Sequence, residues 1–195
     1  MLGVSSMPPS AHSTAFVGDV FRRFRRNRRG SAAVEFALVA PVFFALLFAI
    51  IETGIMFFAS QVLETVTQNS ARQIMTGFVQ SQAWDAANFK TKVVCPQIPA
   101  IFTCANISVD VESDPTSFAN VGLNNHIDAN GNFDPTTLGY NPGGSCSVVV
   151  VQLFYQWQLF VTGLGYNISN MSGNKRNLVA TAAFRNEPYA GACAS

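Results

Sequence analysis

Apolar residues are distributed very unevenly along the chain. From Phe36 to Ile51 they run almost unbroken, interrupted only by Pro41, and after Glu52 the run resumes at Ile55-Met56-Phe57-Phe58-Ala59. Twelve Leu, Ile, Val and Phe residues lie between Val34 and Ile51, each worth roughly −0.3 to −0.6 kcal/mol for insertion near a bilayer centre. Their sum outweighs one acidic residue near an edge of the span, at roughly +2.5 to +3.5 kcal/mol. The stretch therefore predicts a membrane-spanning helix. It is longer than a signal h-region and is followed by no convincing small-x-small cleavage site. Past Ala59, apolar residues recur at Val62, Val66, Ile74 and Phe78 among Gln, Thr, Asn and Ser. That pattern predicts that the same helix continues beyond the membrane with one face packed and the other wet. Pro41 lacks an amide hydrogen and frees the Ala37 carbonyl, so a kink or local loosening is expected there. Glu52 lies about 26 Å from Glu35 along an ideal helix, near the outer interface, where a hydrated or paired carboxylate is expected.

Farther along, the pattern changes. A second helix is expected over Ala83 to Val94, with Trp84, Ala87 and Val94 buried, ended by Cys95-Pro96. Ile107 to Glu112 alternates strictly between apolar and polar, as a half-buried strand does. Ser147 to Val161 is the strongest strand signal. It places Val149, Val151, Leu153, Tyr155, Trp157 and Leu159 on one face and Gln152, Gln156 and Gln158 on the other. Leu178 to Arg185 is a third strand, with Leu178, Ala180, Ala182 and Phe184 on one side. Three strands with turn-rich joins predict an α+β fold, a small antiparallel sheet whose apolar face lies on the outer half of the long helix. Ser113 to Gly144 is a long connection rich in Asn, Asp, Gly and Pro. Within it, Asp128 to Asp134 spaces oxygen side chains as a calcium loop does. Phe133 and Gly139, however, stand where that loop needs Gly and Glu, so a solvated turn is expected. Thr162 to Arg176 reads as a hairpin tip.

Charge adds direction. The net charge is +1 and the charged fraction 12%, but six of the twelve basic residues are Arg22, Arg23, Arg25, Arg26, Arg28 and Arg29. Their position before the apolar run places Met1 to Gly30 in the cytoplasm and the remainder outside. No basic stripe follows, which argues against a nucleic-acid partner. Met1 to Ala15 is Ser-, Pro- and Ala-rich and is expected to be disordered, with Met7 as an alternative start. Phe16, Val17, Val20, Phe21 and Phe24 fit an amphipathic helix on the inner leaflet or, equally, an unstructured basic tail.

The four cysteines, Cys95, Cys104, Cys146 and Cys193, all follow the span. An even number in an oxidising compartment reads as disulfides, with three possible connectivities. Cys95 with Cys104 would close a short loop, and Cys146 with Cys193 would tie a strand start to the C-terminus; this is the expected pairing. No Cys-x-x-Cys is present, so neither a redox motif nor a zinc site is expected. The histidines are His12 and His126, and no nucleophile elbow, paired carboxylates or phosphate-cradling loop appears. No catalytic residue, cofactor or metal is expected, and a membrane-anchored hydrolase would need convergent polar side chains that the sequence does not reveal.

The Arg-rich leader, Gly30, Ser31-Ala32-Ala33-Val34 and Glu35-Phe36 ahead of an apolar helix resemble a type IV prepilin cleavage site. The fuller string Gly30 to Pro41 resembles the TadE-like pseudopilins of the tight-adherence (Tad/Flp) pilus, and Tyr140-Asn141-Pro142-Gly143-Gly144 and Phe184-Arg185-Asn186-Glu187-Pro188 are similar to TadE-like strings. The resemblance implies a cut by a prepilin peptidase between Gly30 and Ser31. It also implies subunit contacts through Glu35 and Phe36, Glu35 neutralising the terminal amine of a neighbouring subunit. Two opposite charges buried together cost far less than either alone. It implies residues 1–30 as cytoplasmic leader, 31–60 as the transmembrane segment and 61–195 as a periplasmic pilin-like domain. The implied protein is a non-enzymatic minor pseudopilin of the bacterial inner membrane, single-pass, supporting pilus biogenesis and surface adhesion. Its partners would be the peptidase, other pilins and the inner-membrane platform. A signal-anchored periplasmic binding module that is not cleaved is the alternative.

Overall fold

The computed structural model describes residues 30–161, 166–191 and Cys193. Two compact units divide the chain, one ending at Leu47 and the other beginning at Phe48. The expectations for residues 1–29, and part of those for the loop at 162–176, lie outside the described residues.

Helix α1 covers Ser31–Met75 and contains Pro41. In the first unit its apolar side chains, among them Val34, Phe36, Leu38, Val39, Val42 and Phe43, are exposed. By length and composition α1 can cross a membrane, and a helix satisfies its own backbone groups, which hydrocarbon requires.

In the second unit the same helix acquires a packed stripe. Ala49, Glu52, Met56, Ala59, Leu63, Val66, Ser70 and Ile74 are buried, spaced three or four residues apart as one helix face demands. The helix closes at Gly77, whose φ of 77° is left-handed and whose amide reaches the Ile74 carbonyl at 3.0 Å. A Cβ on Gly77 would also stand 2.5 Å from the Tyr189 ring. Glycine is thus required there by the backbone and by the ring lying over it.

The second helix is shorter and differently phased than expected. Helix α2 covers Phe78–Ser81 and α3 covers Ala86–Phe89, capped by the Asp85 side chain, which accepts from the Asn88 amide at 2.8 Å. A π-helical turn over Lys90–Val94 and a 3-10 turn over Cys95–Gln97 follow. Phe89, Val93 and Val94 are buried, Trp84 is half-buried, and Ala87, expected inside, is exposed. Ala83 to Asp85 are not helical and α3 starts only at Ala86, and the π-turn after it adds a residue to the repeat, so a phase counted at a uniform period from Ala83 does not hold.

Strands β1 (Ile107–Asp114), β2 (Val148–Gln158) and β3 (Lys175–Arg185) form an antiparallel sheet in the order β1-β2-β3. Val111 pairs with Val151, which pairs with Ala182. On one face Val109, Val111, Val149, Val151, Leu153, Leu178 and Ala180 join Ala59, Leu63, Val66 and Ile74 in a single core. The α+β architecture is the one expected, but the sheet's other face is also covered. Val148, Val150, Gln152 and Phe154 are buried, Gln152 at only 6% exposure.

The cover comes from the long connection between β1 and β2. His126 and Phe133 pack on Phe154 with ring centroids 5.0 and 5.5 Å away. Its tip is the expected turn, in which the Asp128 carboxylate accepts the amides of Asn130 and Asn132, both at 2.8 Å. Disulfides join Cys95 to Cys104 and Cys146 to Cys193, each with its Cα atoms 5.5 Å apart.

Candidate functional site

Gly30 immediately precedes α1, and among the described residues no atom beyond its chain neighbours and the local helix backbone lies within 4 Å of where its Cβ would be. Ser31 opens the helix, and Ser31, Glu35 and Phe36 are all exposed, Phe36 at 68%. Among the described residues no hydrogen bond or ion pair reaches the Glu35 side chain. Its carboxylate stands about 6 Å along the helix axis from Ser31, on a surface that is otherwise apolar.

In the second unit Glu52 occupies the packed stripe. It is 8% exposed, and its carboxylate accepts the Phe160 amide at 2.5 Å and the Val161 amide at 3.0 Å. The reason lies at the end of β2. The strand expected to reach Val161 stops at Gln158, and the Leu159 amide donates to the Asn174 carbonyl at 2.9 Å. The next two amides have no ladder partner, and a buried donor must find an acceptor. Glu52 supplies both. Its neighbour Thr53 donates to the Ala49 carbonyl at 2.7 Å and is hydrogen-bonded to the Tyr166 hydroxyl. Arg176 Nη1 holds the same loop by donating to the Ile168 carbonyl at 2.7 Å. Beside this latch, Phe48, Ile51, Ile55, Trp157, Phe160 and Val161 line a cleft of about 410 Å³.

A third constellation was not visible in the sequence. His126, at φ 51°, places Nε2 3.3 Å from Asp110 Oδ2 and Nδ1 2.6 Å from Thr137 Oγ1. Asp110 Oδ1 accepts the Gly139 amide at 2.6 Å. An Asp, His and hydroxyl in series suggests nucleophilic catalysis, but the direction of the hydroxyl argues otherwise. Thr137 donates to the Asp134 carbonyl at 2.9 Å, so it receives from the imidazole instead of surrendering its proton to a base. Asp110 and His126 are both buried. The cluster is a clamp that fastens the long connection to β1. Among the described residues no group of three or more His, Cys, Asp or Glu side chains could hold a metal ion.

The N-terminal part of the chain has a known counterpart. Residues 30–72 match the family model described as TadE-like protein. No curated protein and no solved structure matches the chain. The matched segment contains Gly30, Ser31, Glu35, Phe36 and Glu52 and ends before the sheet begins. Over residues 30–72 the chain is similar to TadE-like proteins, consistent with a protein associated with Tad pili.

Proposed function

We propose that the chain is a minor pseudopilin that supports assembly of a Tad pilus, as a structural subunit without catalytic activity. The observation that carries this reading is Glu35, the lone acid on an exposed apolar helix surface within the TadE-like segment. A carboxylate without a partner is costly in hydrocarbon or in an apolar filament core. A partner from outside the subunit, the free amine of a neighbouring mature chain, removes that cost.

In this reading a prepilin peptidase removes residues 1–30, cutting after Gly30, where no side chain obstructs an extended chain. The span lies within residues 31–60, with the N-terminus cytoplasmic and residues 61–195 periplasmic. Phe36 and the apolar side chains around it then pack on other pilins, and the inner-membrane platform of the pilus machine receives the processed subunit. Surface adhesion follows from the pilus.

The test is the mature N-terminus. Intact-mass and N-terminal measurements on protein from its host membrane should find Ser31, and Gly30→Leu should leave the leader attached. A parent chain that keeps Met1 in cells with an active prepilin peptidase favours the uncleaved, signal-anchored binding module instead.

A further inference from the structure

We propose that the cleft beside Glu52 and the Phe160-Val161 segment that follows β2 form a foot that seats in the outer leaflet of the membrane, with phospholipid acyl chains filling the cleft. This rests on the reading of α1 as a membrane anchor. About 20 helical residues cross the hydrocarbon, so a span that begins at Ser31 ends near Ile51. The helical wall of the cleft is Phe48, Ile51 and Ile55, the part of α1 that such a span brings to the outer boundary. The cleft's helical wall therefore lies at the chain position where such a span leaves the hydrocarbon, and this position selects lipid as its occupant.

The opposite wall fits the same solvent. Phe160 is 85% exposed, although its amide is held by a buried carboxylate. A large apolar side chain displayed on a fixed segment gains nothing from the fold itself. Trp157 lines the cleft beside it, and tryptophan is favoured at the membrane interface, where one edge is apolar and the other wet. The backbone is prepared as well. Backbone entering hydrocarbon must not carry unpaired amides, and the amides of Phe160 and Val161 are satisfied by the oxygens of Glu52. Glu52 thus satisfies these two amides and is itself shielded by them.

The experiment uses the full chain in lipid vesicles. Its two tryptophans are Trp84 and Trp157, so Trp84→Phe leaves Trp157 as the sole reporter. Lipids brominated near the headgroup should strongly quench Trp157, while aqueous acrylamide should quench it weakly. Phe160→Asp, at an exposed position, should abolish most of the lipid quenching and shift the emission to the red. A second reporter, Phe44→Trp with both natural tryptophans replaced by Phe, measures the anchor through lipids brominated deep in the chain. If that reporter is quenched while Trp157 ignores every brominated lipid, the foot is refuted and the anchor stands. If neither is quenched, the anchor reading falls and the foot with it. p-Benzoylphenylalanine at position 160 supplies an independent measurement in the parent background. Photo-crosslinking to phospholipid supports the foot, and crosslinking only to a second copy or to another protein overturns it.

Discussion

The carboxylate of Glu52 accepts the amide of Val161 at 3.0 Å across 109 residues of chain. That bond, with its companion from Phe160, joins the C-terminal end of the apolar run to the segment that follows the central strand. Glu52→Gln keeps the shape but replaces one acceptor oxygen with a donor facing an amide, which should cost about 1–3 kcal/mol. Glu52→Leu leaves both amides without a partner and should cost more. Hydrogen exchange at Phe160 and Val161 should accelerate in both variants, with the exchange of β1 unchanged. Unaltered protection at those two amides would mean that the latch does not hold the loop.

Glu35 tests assembly separately from anchoring. If it pairs with a neighbour's terminal amine, Glu35→Gln breaks a buried ion pair at about 3–5 kcal/mol, weakening subunit association by roughly two to three powers of ten. Cleavage after Gly30 should continue. Co-purification of the processed variant with pilin partners should fall, and pilus counts with it. Normal values of both from a cleaved variant would sink the charge-pairing role.

The His126 clamp should matter for stability and not for chemistry. His126→Leu leaves the buried Asp110 carboxylate with the Gly139 amide as its remaining hydrogen-bond partner among the described residues, a loss of about 3 kcal/mol. Adding Asp110→Leu should cost much less than its effect alone, because the stranded charge is gone. Denaturant unfolding of the four proteins in the cycle gives the coupling, and purely additive effects would rule out the clamp.

The two disulfides should contribute unequally. Their sequence separations are 47 for Cys146–Cys193 and 9 for Cys95–Cys104, for which loop entropy alone gives about 4 and ~2.5 kcal/mol. Cys146→Ser paired with Cys193→Ser should therefore lower the melting temperature further than the corresponding change at Cys95 and Cys104. The reverse order would show that strain or packing outweighs loop closure.

Acid should loosen the start of the long connection through Asp114. Its carboxyl is held down to about 2, first by the Thr116 hydroxyl and then by the Ser117 and Thr116 amides. A depressed folded pKa means that the contribution is complete above the unfolded value, about 3.9, and is lost as pH falls through about 2. Asp114 is only partly buried, at the end of a strand, so the global effect is small. The local one should appear as a chemical-shift titration of the Thr116 and Ser117 amides with a midpoint near pH 2, absent in Asp114→Asn.

The local patterns of the chain were legible because each lives within one element. The apolar run announced α1, strict alternation announced β1, and Val149 to Trp157 showed which side of β2 meets the helix. The string from Gly30 to Phe36 pointed to the family that matches residues 30–72. What failed did so where phase or partner came from elsewhere. Ala87 is exposed because its helix starts only at Ala86, so a phase counted from Trp84 does not reach it, and the π-turn from Lys90 breaks the period toward Val94. Gln152 is buried on the face that alternation marked as wet, because the connection from Ser113 to Gly144 folds over it. That connection has no period to read, so neither its cover of Phe154 nor the meeting of His126 with Asp110 left a mark in the pattern. Glu52 shows the division most sharply. Its place in the sequence determined that a carboxylate near the end of an apolar helix needs company, because an unpaired charge is costly there. Only the tertiary structure decided that the company is two amides 108 and 109 residues away. Hydrogen-bond demand is a property of a residue, whereas its satisfaction depends on where the chain returns.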